Sequence, residues 1–396
     1  MTSVKVAKIS RADLRSTCQE MAWITDVQHL SSYNWIEASS PTIAVPGRPA
    51  LWTPPELHTK LHKDYGLIYI AQNAARHPAS PLESLFRAVY LENPSFDIRS
   101  IDLVTDQTNI RKLLAFVNPK TSRSDHKPFT INVERVRNTQ TVIFCRSERE
   151  TYDTILPYQY IGFAKEFAKA FTTEQVTGST GHYRIISYRF GGLKLMVRHE
   201  TDGYVGSPLS NGSTGVGDVN VDEVSRPFEY LYYGRPYLQL SQAASLAGAG
   251  LSIKREGQVV PIQSTLEVKT RAVSMPIDVD EVIPQLWVSQ TPNLVRAYHM
   301  GGLFETPTVE DMTVEIKKWE EAQQDDLKKL VSLFARIIGV VKECGGQAVL
   351  KYDPDSEKLE IWERGADNML PADLYARFDQ DRISSKSEPA SSSDRD

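Results

Sequence analysis

Two short segments of the chain place charged side chains at alternate positions of predicted β-strands. The first is Glu200-Thr201-Asp202 and the second is Glu267-Val268-Lys269. Side chains two residues apart in a strand point to the same face, so each segment presents a pair of polar groups to one side. If the two strands are neighbours, these pairs converge on one spot. Because buried carboxylates are costly without a compensating cation, the pattern predicts a divalent metal site beside a lysine.

The segments around these acids predict an α/β (α+β) fold. Residues 183–188 and 193–200 alternate in polarity on either side of Gly191-Gly192, which predicts a β-hairpin because glycine accepts the positive φ of a tight turn. Further predicted hairpins cover residues 129–136 with 141–146, and 348–352 with 359–362. Helical periodicity predicts helices over residues 81–91, 108–117 and 158–172, and one long helix within 309–344. The expected architecture is a mixed β-sheet core with flanking helices.

A single domain is predicted for residues 1–382. Residues 1–60 alternate short apolar pieces with Pro, Ser and Gly, which indicates an extended arm laid over the domain. Residues 206–263 are a predicted insertion between the two acidic segments. Its Gly- and Ser-rich start lacks the Lys-Ser/Thr ending of a P-loop, which argues against a phosphate-binding loop. Residues 383–396 are predicted to be a disordered tail.

Charge and cysteine content limit the function and the compartment. A formal net charge of -5 argues against a generally basic nucleic-acid-binding surface, so a polyanion must be held by a local basic channel or by metal. Cys18, Cys145 and Cys344 are widely spaced and odd in number, which disfavours a disulfide framework or a zinc site and favours a reducing compartment. No segment approaches the roughly 18 apolar residues of a membrane span. We expect a nuclear or cytoplasmic protein.

A third acidic residue, Glu166, lies close to the apolar face of the helix predicted over residues 158–172. Taken alone, such a carboxylate is more often a boundary residue that reaches solvent. With Asp202 and the Glu267-x-Lys269 pair, however, the layout matches that of PD-(D/E)XK nucleases, in which acids bind divalent metal and the lysine orients or activates water. ExK triplets are common in strands, so an exposed salt-bridging surface is the alternative on this pattern alone.

Four motifs in order resemble those of the eukaryotic DXO/Rai-type decapping nucleases. The family's motifs are Gly-Φ-x-Φ-Glu, Glu-Φ-Asp, Glu-Φ-Lys and a downstream Gln, where Φ is hydrophobic. Residues 162–166, 200–202 and 267–269 match the first three. Gln285 and Gln290 are candidates for the fourth, and counting back from the family's Pro-Asn-Ile-Val-like strand, matched by residues 292–295, selects Gln285. The resemblance covers residues from about 60 to 365 and is strongest over 158–298.

The chain departs from the family pattern at several positions. Gln107 occupies the place of the family's RNA-binding Arg, so recognition of the 5′ end is expected to differ. Lys165 and Thr201 replace hydrophobic residues in the first two motifs. The insertion between Asp202 and Glu267 is much longer than usual and is expected to reshape the substrate entrance.

The resemblance implies a role for each matching residue. Glu166, Asp202 and Glu267 would hold Mg²⁺ or Mn²⁺, with the Val268 carbonyl as a further ligand. Lys269 and Gln285 would position the water and the scissile phosphate, and Glu200 would contribute to metal binding directly or through water. The substrate-binding candidates are Arg198, Arg271 and Gln107, and a local positive field is expected from Arg184, Arg189, Lys194, Arg198 and Arg271.

The implied activity is metal-dependent hydrolysis at the 5′ end of RNA. It would remove a triphosphate, an incomplete cap or an atypical cap such as an NAD cap, with 5′→3′ exoribonuclease action as a further possibility. Two alternatives stay open. One is a PD-(D/E)XK nuclease that acts on DNA, and the other is a weakly active or inactive scaffold that binds a 5′→3′ exoribonuclease.

Overall fold

The structure, a computed structural model, describes residues 4–16, 20–122, 125–156, 158–159, 162–206, 250–365 and 367–379. Residues 207–249, which make up most of the predicted insertion, and the predicted tail, 383–396, lie outside the described residues. Cys18 also lies outside them. No helix in the described part of the chain combines the length and apolarity needed to cross a membrane.

The strands are numbered in chain order. They are β1 (Lys5–Ser10), β2 (Ile24–Ile36), β3 (Thr42–Gly47), β4 (Leu51–Trp52), β5 (Thr59–Lys60), β6 (Gly66–Tyr69), β7 (Leu103–Asp106), β8 (Phe129–Arg135), β9 (Val142–Ser147), β10 (Tyr152–Ile155), β11 (Thr172–Thr173), β12 (Ser179–Phe190), β13 (Leu193–Glu200), β14 (Gly203–Tyr204), β15 (Ser252–Gly257), β16 (Thr265–Ala272), β17 (Asn293–Met300), β18 (Leu303–Phe304), β19 (Val309–Asp311), β20 (Gln347–Asp353) and β21 (Lys358–Glu363).

The α-helices are numbered in the same way. They are α1 (Gln72–Arg76), α2 (Glu83–Glu92), α3 (Gln107–Val117), α4 (Ala164–Phe171), α5 (Val279–Ser289), α6 (Thr313–Ala322), α7 (Gln324–Glu343) and α8 (Ala372–Ala376). Short 3-10 helices occur at Arg11–Asp13, Ile98–Ser100, Ile262–Ser264 and Pro354–Ser356.

Most strands belong to two sheets. The large sheet has the order β1-β21-β20-β8-β9-β7-β13-β12-β2-β3-β15, and the small sheet has the order β11-β4-β14-β16-β17-β18-β5 with β19 added on β17. Both sheets are mixed. In the large sheet β7 is parallel to both β9 and β13, and in the small sheet β16 is parallel to β17. Hairpin partners such as β8 and β9 are antiparallel. The predicted mixed α/β architecture is therefore confirmed.

Helices cover both faces of the large sheet. Strand β13 shows this, because Leu195 and Val197 pack in the core that contains α3, α5 and α7, whereas Met196 packs in the core that contains α2 and α8. A central strand with both faces buried is apolar on both sides rather than alternating. The site acids at the end of β13 therefore extend from a strand that packing holds on both faces.

Helix α4 covers one face of the small sheet. Its phenylalanines and Phe163 pack against Leu266, Val295 and Phe304, and the rings of Phe167 and Phe171 stack with centroids 4.0 Å apart. Burying such rings contributes roughly 1.5–3 kcal/mol each. This core holds β16, the strand that carries Glu267 and Lys269, from one side.

The N-terminal segment differs from the predicted arm. It is extended, but β2 and β3 are strands of the large sheet, with β2 between β12 and β3. Residues 30–36 are buried, including the polar residues Ser31, Ser32 and Asn34. These buried polar residues explain the error, because they remove the apolar pattern that identifies a core strand.

The long helix predicted within residues 309–344 is confirmed as α7, and a second helix, α6, precedes it and ends before Gln323. The periodic apolar residues all belong to α7, while α6 is held by Trp319 and by Glu320, which accepts hydrogen bonds from the Trp287 indole and the Ile24 N–H. The helix predicted over 158–172 is shorter, since α4 spans Ala164–Phe171.

Three histidines lie near the buried Arg184 of β12. They are His29 on β2, His182 on β12 and His199 on β13. Arg184 is buried and donates to the Val260 carbonyl (3.0 Å) and to His29 Nδ1 (3.3 Å). Burial, followed by the charge of Arg184, lowers the pKa of His29 to about 4. The same two causes lower the pKa of His182 well below its usual range. The folded state therefore holds both imidazoles neutral.

We expect this group to make the fold acid-sensitive. In the unfolded chain His29 takes a proton near pH 6.5, but in the folded chain it does so only near pH 4, so stability is lost as the pH falls through this window. His29 alone should cost about 2 kcal/mol at pH 5. Urea unfolding of the wild type and His29→Gln at pH 7.5 and pH 5.0 measures this loss. The wild type should lose more stability than the variant. The control variant His58→Gln, at an exposed position, should lose as much as the wild type; equal losses in wild type and His29→Gln would contradict the prediction.

Candidate functional site

The candidate site lies where the chain passes from the large sheet to the small one. Strand β13 ends at Glu200, and after two intervening residues β14 begins the pairing with β16, with Gly203 opposite Leu266. The strands that carry Glu200 and Glu267 therefore belong to different sheets and are not neighbours. The two acidic segments meet because Asp202 lies in the crossing, where its Oδ2 accepts a hydrogen bond from the Val268 N–H (2.8 Å).

Glu267, Lys269 and Gln285 form a hydrogen-bonded triad. Lys269 Nζ lies 2.6 Å from Glu267 Oε1 and donates to Gln285 Oε1 (3.1 Å). Gln285 Nε2 donates to Glu267 Oε1 (2.5 Å). The Glu267 side chain is 6% exposed and that of Lys269 is 34% exposed. Residues 267 and 269 share a face of β16, and α5 supplies Gln285 from that same side. Gln290 instead ends α5, where its side chain donates to the Trp287 carbonyl.

Helix α3 holds Gln285 in place. Arg111 Nη1 donates to Gln285 Oε1 (3.1 Å), and Gln107 Nε2 donates to the Gln285 backbone carbonyl (2.8 Å). Arg111 is itself paired with Asp125 (2.8 Å). Since Gln285 Oε1 accepts from two cations, its amide orientation is set. The nitrogen must face Glu267.

The carboxylates of Glu200 and Asp202 carry negative charge that protein cations only partly balance. Water reaches both side chains, yet protein surrounds them closely. Desolvation, with Glu267 as the next cause, raises the pKa of Glu200 to about 7 and that of Asp202 well above its usual range. Burial alone would lower the pKa of Lys269, but Glu267 and Asp202 outweigh it and raise that pKa. Lys269 therefore stays protonated. Its single positive charge does not balance all three carboxylates, so a bound cation or a proton would stabilise the group.

Glu166 has its contacts outside this group. Its carboxylate pairs with Lys169 (2.7 Å), and its N–H donates to Asp64 (3.0 Å). Along β16, Leu266 and Val268 pack with the phenylalanines of α4, whereas Glu267 and Lys269 bond to Gln285 of α5. Glu166 lies on α4, and its role as a metal ligand stays a prediction.

The predicted substrate-binding residues have other positions. Arg198 is buried and pairs with Asp106 (2.6 Å), with a further bond to the Pro81 carbonyl, so it braces the fold. Gln107 is buried against Gln285. Arg271 is exposed and pairs with no acid in the described residues. Of the other basic candidates, Arg184 is buried, Arg189 lies 3.5 Å from Asp26 and Lys194 donates to Ser100.

Two basic residues near the acids were not singled out from the sequence. They are Arg111, described above, and Arg146, whose charge lowers the pKa of Glu200. Arg146 and Lys112 both pair with Glu148 at 2.6 Å. A signal for Arg111 was present, because residues 107 and 111 are four apart on α3 and so lie on one helix face. Arg146 ends a predicted hairpin, and its sequence position does not show the nearby Glu200.

The donor set can be tested for its fit to a metal ion. Within the residues that the structure describes, no group of three or more His, Cys, Asp and Glu side chains is arranged to hold a metal. The chemistry fits nevertheless, because Glu200, Asp202 and Glu267 are hard oxygen donors, and desolvation followed by the charge of Glu267 raises the pKa of Glu200 and Asp202. A divalent cation would relieve that repulsion. The structure thus shows an acidic group with excess charge rather than a preformed cage.

Similar solved structures identify the fold as that of the Rai/DXO type. Rai1 of S. pombe in complex with 3′-FADP matches with a TM-score of 0.54 at 11% identity, covering 90% of this chain and 98% of the other. Candida albicans Rai1 in complex with pU5-Mn²⁺ also gives 0.54 at 11%, covering 96% and 99%. Scheffersomyces stipitis Rai1 in complex with (3′-NADP)⁺ and calcium ion gives 0.54 at 9%, covering 96% and 100%.

At these identities the likeness establishes the fold. The family is established by sequence, since the chain belongs to the family described as a domain of unknown function, DUF8563, whose sequence model matches residues 5–378. No curated protein matches the chain in sequence.

The excess charge predicts opposite effects for two substitutions. Glu200→Gln should raise the melting temperature at pH 8, because it removes a repelled carboxylate, and the gain should shrink at pH 5, below the pKa of about 7 where Glu200 is already protonated. Lys269→Met should lower stability by about 1–2 kcal/mol, because Glu267 is left buried without its cation. Thermal unfolding at the two pH values measures both. Glu256→Gln, at an exposed position of β15, should change little; a Glu200→Gln variant no more stable than wild type at pH 8 would refute the argument.

Proposed function

We propose that the protein is a metal-dependent hydrolase of RNA 5′ ends. The observation that carries the proposal is the group of Glu200, Asp202 and Glu267 with Lys269 and Gln285 at the junction of the two sheets. The fold supports it, because Rai1 structures with the same fold contain pU5 with Mn²⁺, or 3′-FADP. The substrate class is a single-stranded RNA whose 5′ end carries a triphosphate, an incomplete cap or an NAD-type cap, and 5′→3′ exoribonuclease activity is part of the proposal.

Three carboxylates would hold the cation. Glu200, Asp202 and Glu267 supply oxygen donors, and Mg²⁺ or Mn²⁺ suits such donors. The Val268 carbonyl is a further proposed ligand, since its N–H already fixes Asp202. The bound ion would supply Lewis-acid stabilisation of the charge that develops on phosphate oxygens.

The remaining residues would orient the reacting groups. Lys269 remains protonated between Glu267 and Gln285, so it acts as a hydrogen-bond donor and cation toward the scissile phosphate. Gln285, held by Arg111, offers an amide of set orientation for positioning the water. Glu200 would contact the ion directly or through a water, which places a carboxylate beside the attacking water as the candidate general base.

We expect RNA 5′-end hydrolysis in the presence of Mn²⁺, and its loss when the acids are removed. Purified protein should release pyrophosphate, a cap dinucleotide or mononucleotides from 5′-labelled RNA. Asp202→Asn and Glu267→Gln should lower turnover at least about a hundredfold, because the charge that binds the cation is lost. Single-stranded DNA of the same sequence, tested in parallel, separates an RNA hydrolase from a DNA nuclease.

Glu166→Gln is the discriminating variant. The family resemblance makes Glu166 a metal ligand, whereas its pairing with Lys169 on α4 predicts activity within a few-fold of wild type. Activity unchanged in Asp202→Asn and Glu267→Gln would overturn the assigned site. An absence of turnover on every RNA 5′ end would overturn the proposed hydrolase and favour the scaffold that binds a 5′→3′ exoribonuclease.

A further inference from the structure

A cavity near the candidate site is lined by residues to which the proposed reaction gives no role. Its volume is about 270 Å³, and its wall includes Arg146, Glu148, Asn132, Arg364 and Met369. This volume lies just below the usual range of small-molecule pockets, about 300–1,000 Å³. It suits one nucleotide rather than a longer stretch of chain.

The cavity adjoins the candidate site through shared residues. Arg146 is part of its wall and also acts on the Glu200 carboxylate. Pro81, another wall residue, accepts a hydrogen bond from Arg198, two residues before Glu200. A ligand in the cavity would therefore lie next to the acids.

The charge of the cavity is positive. Glu148 is its one acidic wall residue, and it pairs with both Arg146 and Lys112 at 2.6 Å, so one cation of this trio is left unbalanced. Arg364 adds a second cation, which the nearby Glu134 carboxylate partly offsets. An anionic group is therefore favoured in the cavity.

Arg364 supplies the most specific observation. Its Nη1 is buried and has no hydrogen-bond partner in the described part of the chain. A buried donor without an acceptor costs about 1–3 kcal/mol, and a ligand oxygen or nitrogen would remove that cost. Arg146 lies on β9 and Arg364 follows β21, with β8 and β20 between them. The two arginines therefore reach the cavity from separate strands of the large sheet.

We propose that this cavity binds one nucleoside phosphate of the substrate's 5′ end, an inference that builds on the proposed function. Arg146 faces the phosphate next to the acids, and Arg364 donates to an acceptor on the base or ribose. The remaining wall combines apolar side chains such as Met369 with amides such as Asn132 and Asn368, which suits a base with a flat face and a polar edge.

Calorimetric titration of the full chain with AMP, without added metal, tests the cavity separately from catalysis. Wild type should bind AMP, and Arg364→Gln should bind it about tenfold or more weakly, as expected for a lost charged hydrogen bond. Arg364→Lys keeps the charge and should be intermediate. Arg255→Gln, at an exposed position of β15, should match wild type. Circular dichroism checks that the Arg364 variants are folded.

The outcomes separate the cavity from the proposed reaction. Equal AMP affinity in wild type and Arg364→Gln overturns the cavity, and inorganic phosphate binding as tightly as AMP overturns recognition of the nucleoside. If RNA is hydrolysed, Arg364→Gln should raise KM for 5′-phosphorylated RNA and leave kcat unchanged. If no RNA is hydrolysed but AMP binding is still lost in Arg364→Gln, the proposed function fails while the nucleotide cavity stands.

Discussion

The candidate site depends on one electrostatic constraint. The fold brings the carboxylates of Glu200, Asp202 and Glu267 together, and Lys269 is the cation that lies next to them. Lys269 satisfies Glu267, and Arg146 acts only at a distance on Glu200. Protein stability alone would favour amides or apolar groups at these positions. The fold nevertheless holds this charge. Glu200 ends a strand that is packed on both faces, and the Val268 N–H fixes Asp202 in the crossing between the sheets. This is the physical reason to regard the group as functional.

Two helices from distant parts of the sequence hold Gln285 in the group. Helices α3 and α5 pack against each other in the main core, and the contacts of Gln107 and Arg111 with Gln285 lie at that interface. The position of the Gln285 amide therefore depends on helix packing and on the Arg111–Asp125 pair, rather than on β16 itself. Gln285 and the side chains that hold it are thus on separate helices.

Much of the fold followed from local patterns. The hairpin at Gly191-Gly192 and helices α2, α3 and α7 have strong periodicity, and the pairing of Glu267 with Lys269 follows from strand alternation. Long-range placement did not follow. The buried polar residues of β2 concealed a core strand, and Arg198 proved to be paired with Asp106. In each case a tertiary contact decided the outcome, and such contacts have no signature in sequence spacing.

The two short strands that flank residues 207–249 have a consequence for divergence within the family. Strand β14 is anchored in the small sheet beside β16, and β15 is anchored at the edge of the large sheet beside β3. Each end of the segment is therefore held by its own backbone pairing. Because the two ends are held independently, insertions or deletions between them can accumulate without moving Asp202 or Glu267. This is the part of the chain in which related proteins are expected to differ most in length.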